Sequence, residues 1–225
     1  MSSPTSIGLS LHEARQARLL ARGGIERIIQ LSHDSPPLTV TEFPGREIGS
    51  ISWEGGEFLA RHLLQNPFLI QNRIVVELGC GLGVAGIAAA RFGAKKVFLT
   101  DRESLLPLFQ QAASIHANIQ CLALNWGAKE WVESGLPYAD VILGADVIYT
   151  DDGALAFVET LGQALCSPLI TTTSTTTNIA LLAYKERGSG IVFHSALQQL
   201  QDITCEIVNR HGDHVIYQLS KRERL

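Results

Sequence analysis

The run from Ile74 to Asp101, IVVELGCGLGVAGIAAARFGAKKVFLTD, constrains the fold more than any other part of the chain. An apolar stretch ends in an acid, Glu77, and passes into three alternate glycines, Gly79, Gly81 and Gly83. A small-residue stretch with helical spacing follows. A second apolar stretch then ends in Asp101. That order predicts strand, glycine turn, helix and strand: one βαβ unit with a nucleotide-type site at its first turn.

The glycine turn has two readings. Gly81, Gly83 and Gly86 form a formal dinucleotide fingerprint, with Asp101 about twenty residues downstream. The other reading is E-x-G-x-G-x-G, from Glu77 to Gly83. Both need glycine because the backbone must turn sharply and let a ligand approach. Both place Asp101 at a strand end, where its carboxylate can accept hydrogen bonds from ribose hydroxyls. Glu77 separates them. Beside a pyrophosphate its charge would repel, whereas beside a sulfonium with an amino-acid end it would attract. The turn therefore favours S-adenosylmethionine over NAD.

Elsewhere the chain alternates. Residues 9–31 read as a partly amphipathic helix interrupted at Gly23 and Gly24, and 32–37 as a break. Residues 38–43 alternate as a strand, and 54–65 read as a helix stopped by Asn66 and Pro67. After the strand at 74–78 come a helix over 84–92 capped by Gly93, a strand at 96–100 and a helix over 103–117. Strands at 119–124 and 139–145, a helix over 153–165, a strand at 179–184 and a helix over 191–201 follow. The Ser/Thr tract at 171–177 reads as a polar loop. Residues 203–209 and 214–220 read as a hairpin turning at His211, Gly212 and Asp213. Repeated βα units predict an α/β fold, a doubly wound, mainly parallel sheet with helices on both faces and an antiparallel C-terminal hairpin. The division is an N-terminal helical extension over 1–36 and one catalytic domain over 37–225.

At 225 residues, 46% hydrophobic and 18% charged, the chain can bury one sizeable core. A net charge of −4 gives no basic field for non-specific nucleic-acid binding, so no nucleic-acid partner is expected. No apolar run approaches the roughly 18 residues a membrane helix needs, so no membrane partner is expected either. Cys80, Cys121, Cys166 and Cys205 form no CxxC pair, and no cysteine–histidine cluster has zinc spacing, so no metal is expected. Isolated cysteines suit a reducing compartment, and the cytoplasm is the expected location. The nucleus is an alternative. So is the mitochondrion, because Arg15, Arg18 and Arg22 with one acid loosely match a presequence. No interface motif stands out, and a monomer is favoured.

Four strand ends carry candidate site residues: Glu77, Asp101, Trp126 and Asp146, the last followed by Val147, Ile148 and Tyr149. Trp53 opens a helix after a Gly-Ser-Ile-Ser turn. Five segments, GSISWEGGEFLARHLL, VVELGCGLGVAGIAAARFGAKKVFLTD, LNWG, DVILGADVIY and IALLAYKERG, together resemble methyltransferase family 16. These are seven-β-strand, Rossmann-like class I enzymes that include protein lysine methyltransferases acting on non-histone targets. The resemblance runs from about residue 38 to the C-terminus. The glycine turn alone marks only the broad superfamily; LNWG and the D-x-x-Y tetrapeptide make the match specific.

The resemblance implies a role for each matched residue. Trp53 would lie against the methionine end of S-adenosylmethionine. Gly79, Cys80 and Gly81 would cradle it, with Glu77 nearby. Asp101 would hold the ribose, Trp126 would pack near the adenine, and Ala145 would contact the cofactor through its backbone. Asp146 and Tyr149 would place the acceptor amine. Apart from the resemblance, Asp140, Asp151 and Asp152 are candidates for negative potential that steers a basic or lysine-bearing protein segment, while Asp151 and Asp152 read first as helix-start acids favoured by the helix dipole. The acceptor stays open at this stage: lysine is favoured over arginine, histidine, an N-terminal amine or a small molecule, and a catalytically silent cofactor-binding module is the remaining alternative.

Overall fold

A computed structural model describes residues 18, 21–127, 129–166, 178–186, 190–200 and 202–222. Nine strands and six α-helices occur among them. A hairpin of β1 (Ile25–Ile29) and β2 (Leu38–Glu42) comes first, then α1 (Glu54–Gln65), β3 (Ile74–Leu78), α2 (Val84–Arg91) and β4 (Lys96–Asp101). Next are α3 (Leu106–Ala113), β5 (Ile119–Ala123), the short α4 (Glu130–Glu133), β6 (Val141–Ala145) and α5 (Asp151–Cys166). The chain closes with β7 (Ile179–Lys185), α6 (Gly190–Gln199), β8 (Ile203–His211) and β9 (His214–Lys221).

Seven strands form one sheet in the order β5-β4-β3-β6-β7-β9-β8. The five from β5 to β7 are parallel, and β9 and β8 are antiparallel. Parallel strands covered on both faces read as unbroken apolar runs, as β3 and β6 do. Within each run, alternate residues serve opposite faces. Val75, Val97, Leu99 and Leu143 pack with Leu59, Leu63, Ala88 and Phe109 of α1, α2 and α3. Val76, Phe98, Ile142 and Leu182 pack with Phe157, Leu161 and Phe193 of α5 and α6. The chain runs outward from β3 to β5 and returns to β6 on the other side of β3. That reversal opens a crevice at the carboxyl ends of β3 and β6, where open α/β sheets bind ligands.

Residues 25–29 overturn part of the expected N-terminal helix. They form β1 and pair with β2 in register from Ile25↔Glu42 to Ile29↔Leu38. The hairpin crosses the expected boundary at residue 36, and Ile29, Leu38 and Val40 join the core beside α1 and α2. The helix expected over 103–117 is shorter: a 3-10 turn over Glu103–Leu105 leads into α3, which ends at Ala113. The tract at 171–177 lies outside the described residues. No described helix is long and apolar enough to cross a membrane.

Candidate active site

A cleft of about 320 Å³ opens at the crevice, and all ten residues expected to touch the cofactor or place the acceptor line it. Glu77 and Gly79 come from the end of β3, Asp101 from β4, Trp126 from the loop after β5, and Ala145 and Asp146 from β6. Trp53 reaches in from the N-terminus of α1, and Tyr149 from the loop before α5.

The glycine turn is shaped by close approach. Gly79 and Gly81 have φ of 69° and 54°, in the left-handed region. A Cβ on Gly79 would lie 2.5 Å from Cζ2 of Trp126, so the indole rests directly on the turn. The Asp101 carboxylate pins the turn from β4: Oδ2 accepts from the Gly81 N–H at 2.8 Å, and Oδ1 from the Arg102 N–H at 2.8 Å. Burial pushes the Asp101 carboxyl above its ordinary value, against these two bonds. Each oxygen keeps acceptor capacity beyond its one backbone donor.

Glu77 is 2% exposed, and its Oε2 accepts from the Gly86 N–H at 2.8 Å. Burial raises its pKa from 4.5 to about 8; the Gly86 bond opposes the rise and the Asp101 charge adds to it. Glu77 therefore stays mostly protonated at neutral pH until a cation is beside it. This refines the sequence reading, which treated it as a standing charge. Burial also drives the Cys80 thiol well above its ordinary value, with Glu77 and Asp101 acting in the same direction. Cys80 is thus a wall of the site and not a thiolate nucleophile.

Asp146 has φ of 52°, unusual for a residue with a side chain. Its Oδ2 accepts from the Gly55 N–H at 2.7 Å, across 91 residues of sequence. Trp53, the residue before α1, makes no side-chain cap, so Asp146 caps that helix from a distant loop. The Trp53 Nε1–H donates to the Ile48 carbonyl at 3.0 Å, which fixes the indole on the cleft rim. The turn bearing Ile48 and Trp53 is tied to the first hairpin. Ser50 Oγ donates to the Phe43 carbonyl at 2.8 Å, and Glu42 accepts from the Ser52 N–H at 2.9 Å.

A second cleft, of about 310 Å³, shares Ile48, Trp53, Asp146 and Tyr149 with the first. Ile148, Thr150, Tyr184 and Lys185 complete it. At its edge, Lys185 Nζ lies 3.4 Å from Asp213 Oδ2 and 3.8 Å from Glu54 Oε2.

Among the three acids expected at the mouth, Asp140 is elsewhere. Its Oδ2 accepts from the Ile74 N–H at 2.7 Å, at the opposite end of the sheet, because it precedes β6 and does not follow it. Asp151 and Asp152 are exposed in the first turn of α5, where the helix dipole favours acids. Sequence reasoning missed Gly55, whose N–H holds Asp146, and placed Gly86 only in a dinucleotide fingerprint, whereas its N–H holds Glu77. The Gly-Gly pair at the start of α1 and the glycine within α2 were the visible signals. Among the described residues, no group of His, Cys, Asp and Glu could hold a metal ion.

The fold is that of the Rossmann-like methyltransferases. The ribosomal protein L11 methylase of Lactobacillus delbrueckii superposes with a TM-score of 0.59 at 14% identity, covering 88% of this chain and 98% of that one. The 16S rRNA methyltransferase RsmC of T. Thermophilus, solved in complex with AdoMet and guanosine, also gives 0.59, at 17% identity, covering 88% of this chain and 50% of that one. The chain belongs to the lysine methyltransferase family, whose model matches residues 32–205.

EEF1A lysine methyltransferase 3 of Xenopus tropicalis is 29% identical over 185 residues, 80% of this chain and 78% of the relative. Protein N-lysine methyltransferase METTL21A of Mus musculus is 36% identical over 127 residues, 53% of this chain and 56% of the relative. The chain thus spans about half the length of that second relative. It is an S-adenosylmethionine-dependent methyltransferase.

Proposed function

We propose that the chain methylates the side-chain amine of a lysine in a non-histone protein. The observation that carries this reading is the shared wall between the two clefts. Trp53, Asp146 and Tyr149 face both, so a donor in the first and an extended amine in the second would meet across them. The names of the relatives, lysine methyltransferases of EEF1A and of the electron transfer flavoprotein beta subunit among them, support a protein acceptor.

The first cleft suits the cofactor. Its floor is free of side chains where a Cβ would strike Trp126, and Glu77 is a buried acid that gains by meeting a cation. Arg102, the one basic residue among the described residues that line it, is paired with Glu47 at 3.1 Å, so this lining offers little to a pyrophosphate. In this reading Gly79, Cys80 and Gly81 cradle the ligand, Glu77 faces its cationic end, and Asp101 holds the ribose. Trp126 bounds the adenine, Ala145 offers backbone, and Trp53 lies at the methionine end.

S-adenosylmethionine supplies an electrophilic methyl group on a cationic sulfur. The protein's share is to hold the acceptor amine in line and unprotonated, and holding geometry accounts for much of such acceleration. A free lysine amine has a pKa of about 10.4 and loses its proton more readily in a partly dry pocket. Trp53, Tyr149, Ile148 and Tyr184 make the second cleft largely apolar and aromatic. The Asp146 carboxylate and Tyr149 hydroxyl orient the amine there. The four cysteines are all free, two of them exposed, which supports a location in the reducing cytoplasm.

The test is transfer of a radiolabelled methyl group into an extract of cells lacking this enzyme, followed by amino-acid analysis of the label. Label in methyllysine of one protein band is the expected result. Label only in nucleic acid, or in methylarginine, would overturn the acceptor assignment.

A further inference from the structure

Gly127, in the loop after β5, is bonded by α5 at both its N–H and its carbonyl, and the carbonyl also accepts from the Glu130 N–H of α4 at 3.4 Å. The Gly127 N–H donates to Thr160 Oγ1 at 2.9 Å, and its carbonyl accepts from Gln163 Nε2 at 2.8 Å. Thr160 is fully buried, and its hydroxyl also lies 3.2 Å from the Ala156 carbonyl in its own helix. That bond alone would satisfy the hydroxyl as a donor, so the bond from Gly127 is an addition that helix α5 does not require. Threonine is also a poor helix former, which leaves the loop contact as the gain at this position.

One residue earlier, the Trp126 ring meets Phe157 edge-on, with centroids 5.1 Å apart. Phe157, Thr160 and Gln163 are spaced by three along α5 and share one face. The indole thus has Phe157 on one side and the glycine turn on another, while Thr160 and Gln163 fix the backbone just beyond it. The same helix begins two residues after Tyr149, and its Gly153 and Ala156 line the cofactor cleft.

We propose that Thr160 and Gln163 are positioning residues that set Trp126 at the height where its ring bounds the adenine. Cofactor affinity is then tuned from inside α5 by side chains that do not line the cleft. The same helix ties the adenine wall to the acceptor loop at its start. This rests on the reading of Trp126 as the adenine wall.

The test is the affinity of the full chain for S-adenosylhomocysteine by titration calorimetry, which needs no acceptor. Thr160→Val removes the partner of the Gly127 N–H and should weaken binding about tenfold, the usual scale for a lost buried partner. Thr160→Ser keeps the hydroxyl and should restore wild-type binding. Trp126→Ala should weaken binding by itself, and in that background Thr160→Val should add little, because its effect passes through the indole. If Thr160→Val does not fold, Gln163→Leu replaces it, with a severalfold loss expected. A lowered melting temperature with unchanged affinity, or full additivity with Trp126→Ala, would overturn the proposal while leaving the adenine wall intact. Unchanged affinity in Trp126→Ala would overturn the adenine-wall reading and the proposal with it.

Discussion

Asp146 does two jobs with one carboxylate. It lines both clefts, and it caps α1 through the Gly55 N–H. Its left-handed backbone costs energy that the fold around it must offset, a pattern common at functional sites. The two jobs separate by substitution. Asp146→Asn keeps an oxygen for Gly55 and should melt close to wild type, with turnover sharply reduced. Asp146→Ala loses the cap as well and should cost about 1 kcal/mol of stability. Equal melting temperatures for the two variants would show that the cap contributes nothing. Asp101 offers a simpler prediction. Asp101→Ala frees the Gly81 N–H and removes the proposed ribose acceptor, so affinity for S-adenosylhomocysteine should fall at least tenfold by calorimetry. Unchanged affinity would remove Asp101 from the ribose role. The sequence showed that both acids end strands. It did not show that each is already bonded to a backbone N–H far off in sequence, 91 and 20 residues away.

At the scale of elements, legibility followed the locality of the signal. The amphipathic α1 and the apolar β3 were read to the residue, since propensity, pattern and stop signals agree within each. Residues 25–29 misled because Ile25, Ile28 and Ile29 have helical spacing. Yet Ile25 and Ile28 are exposed, and the segment is a strand because β2 pairs with it. Nothing within five residues announces a partner that begins nine residues further on. The junction of α2 with β3 and β4 gives an element-scale test. A Cβ on Gly86 would lie 2.3 Å from Leu99 Cδ2 and 2.6 Å from Glu77 Oε2, both deeply buried. Gly86→Ala gains helix propensity of about 1 kcal/mol but forces the helix off the sheet, at about 1–3 kcal/mol. A net fall in melting temperature and weaker cofactor binding are expected; a more stable variant would show that the junction has slack.

Glu77 carries its consequences to the whole molecule. The unfolded chain releases this proton near 4.5, the folded protein only near 8. Between those values the native state holds the extra proton, so each rise in pH weakens it relative to the unfolded chain. The contribution is complete below 4.5 and lost by about 8. Burial acts on Asp101 in the same direction, and burial of His62, which lowers its pKa, acts in the opposite sense below about 6.5. The diagnostic is therefore a difference: melting temperature of wild type minus that of Glu77→Gln, followed from pH 4.5 to 8 without cofactor. It should decline as pH rises, and a flat difference would show that Glu77 is not protonated in the folded state.

The sequence by itself determined the alternation of strands and helices, the glycine turn, the class of cofactor and the positions that line the cleft. These are local matters of apolar period, turn chemistry and residues at strand ends. Tertiary structure decided which groups those residues meet. It made Glu77 a buried, proton-holding acid, tied Asp146 to α1, sent Asp140 to the far end of the sheet and set a second cleft against the first. Each of these depends on chain segments distant in sequence packing at one place, where burial and hydrogen bonding fix a charge that residue type alone leaves open.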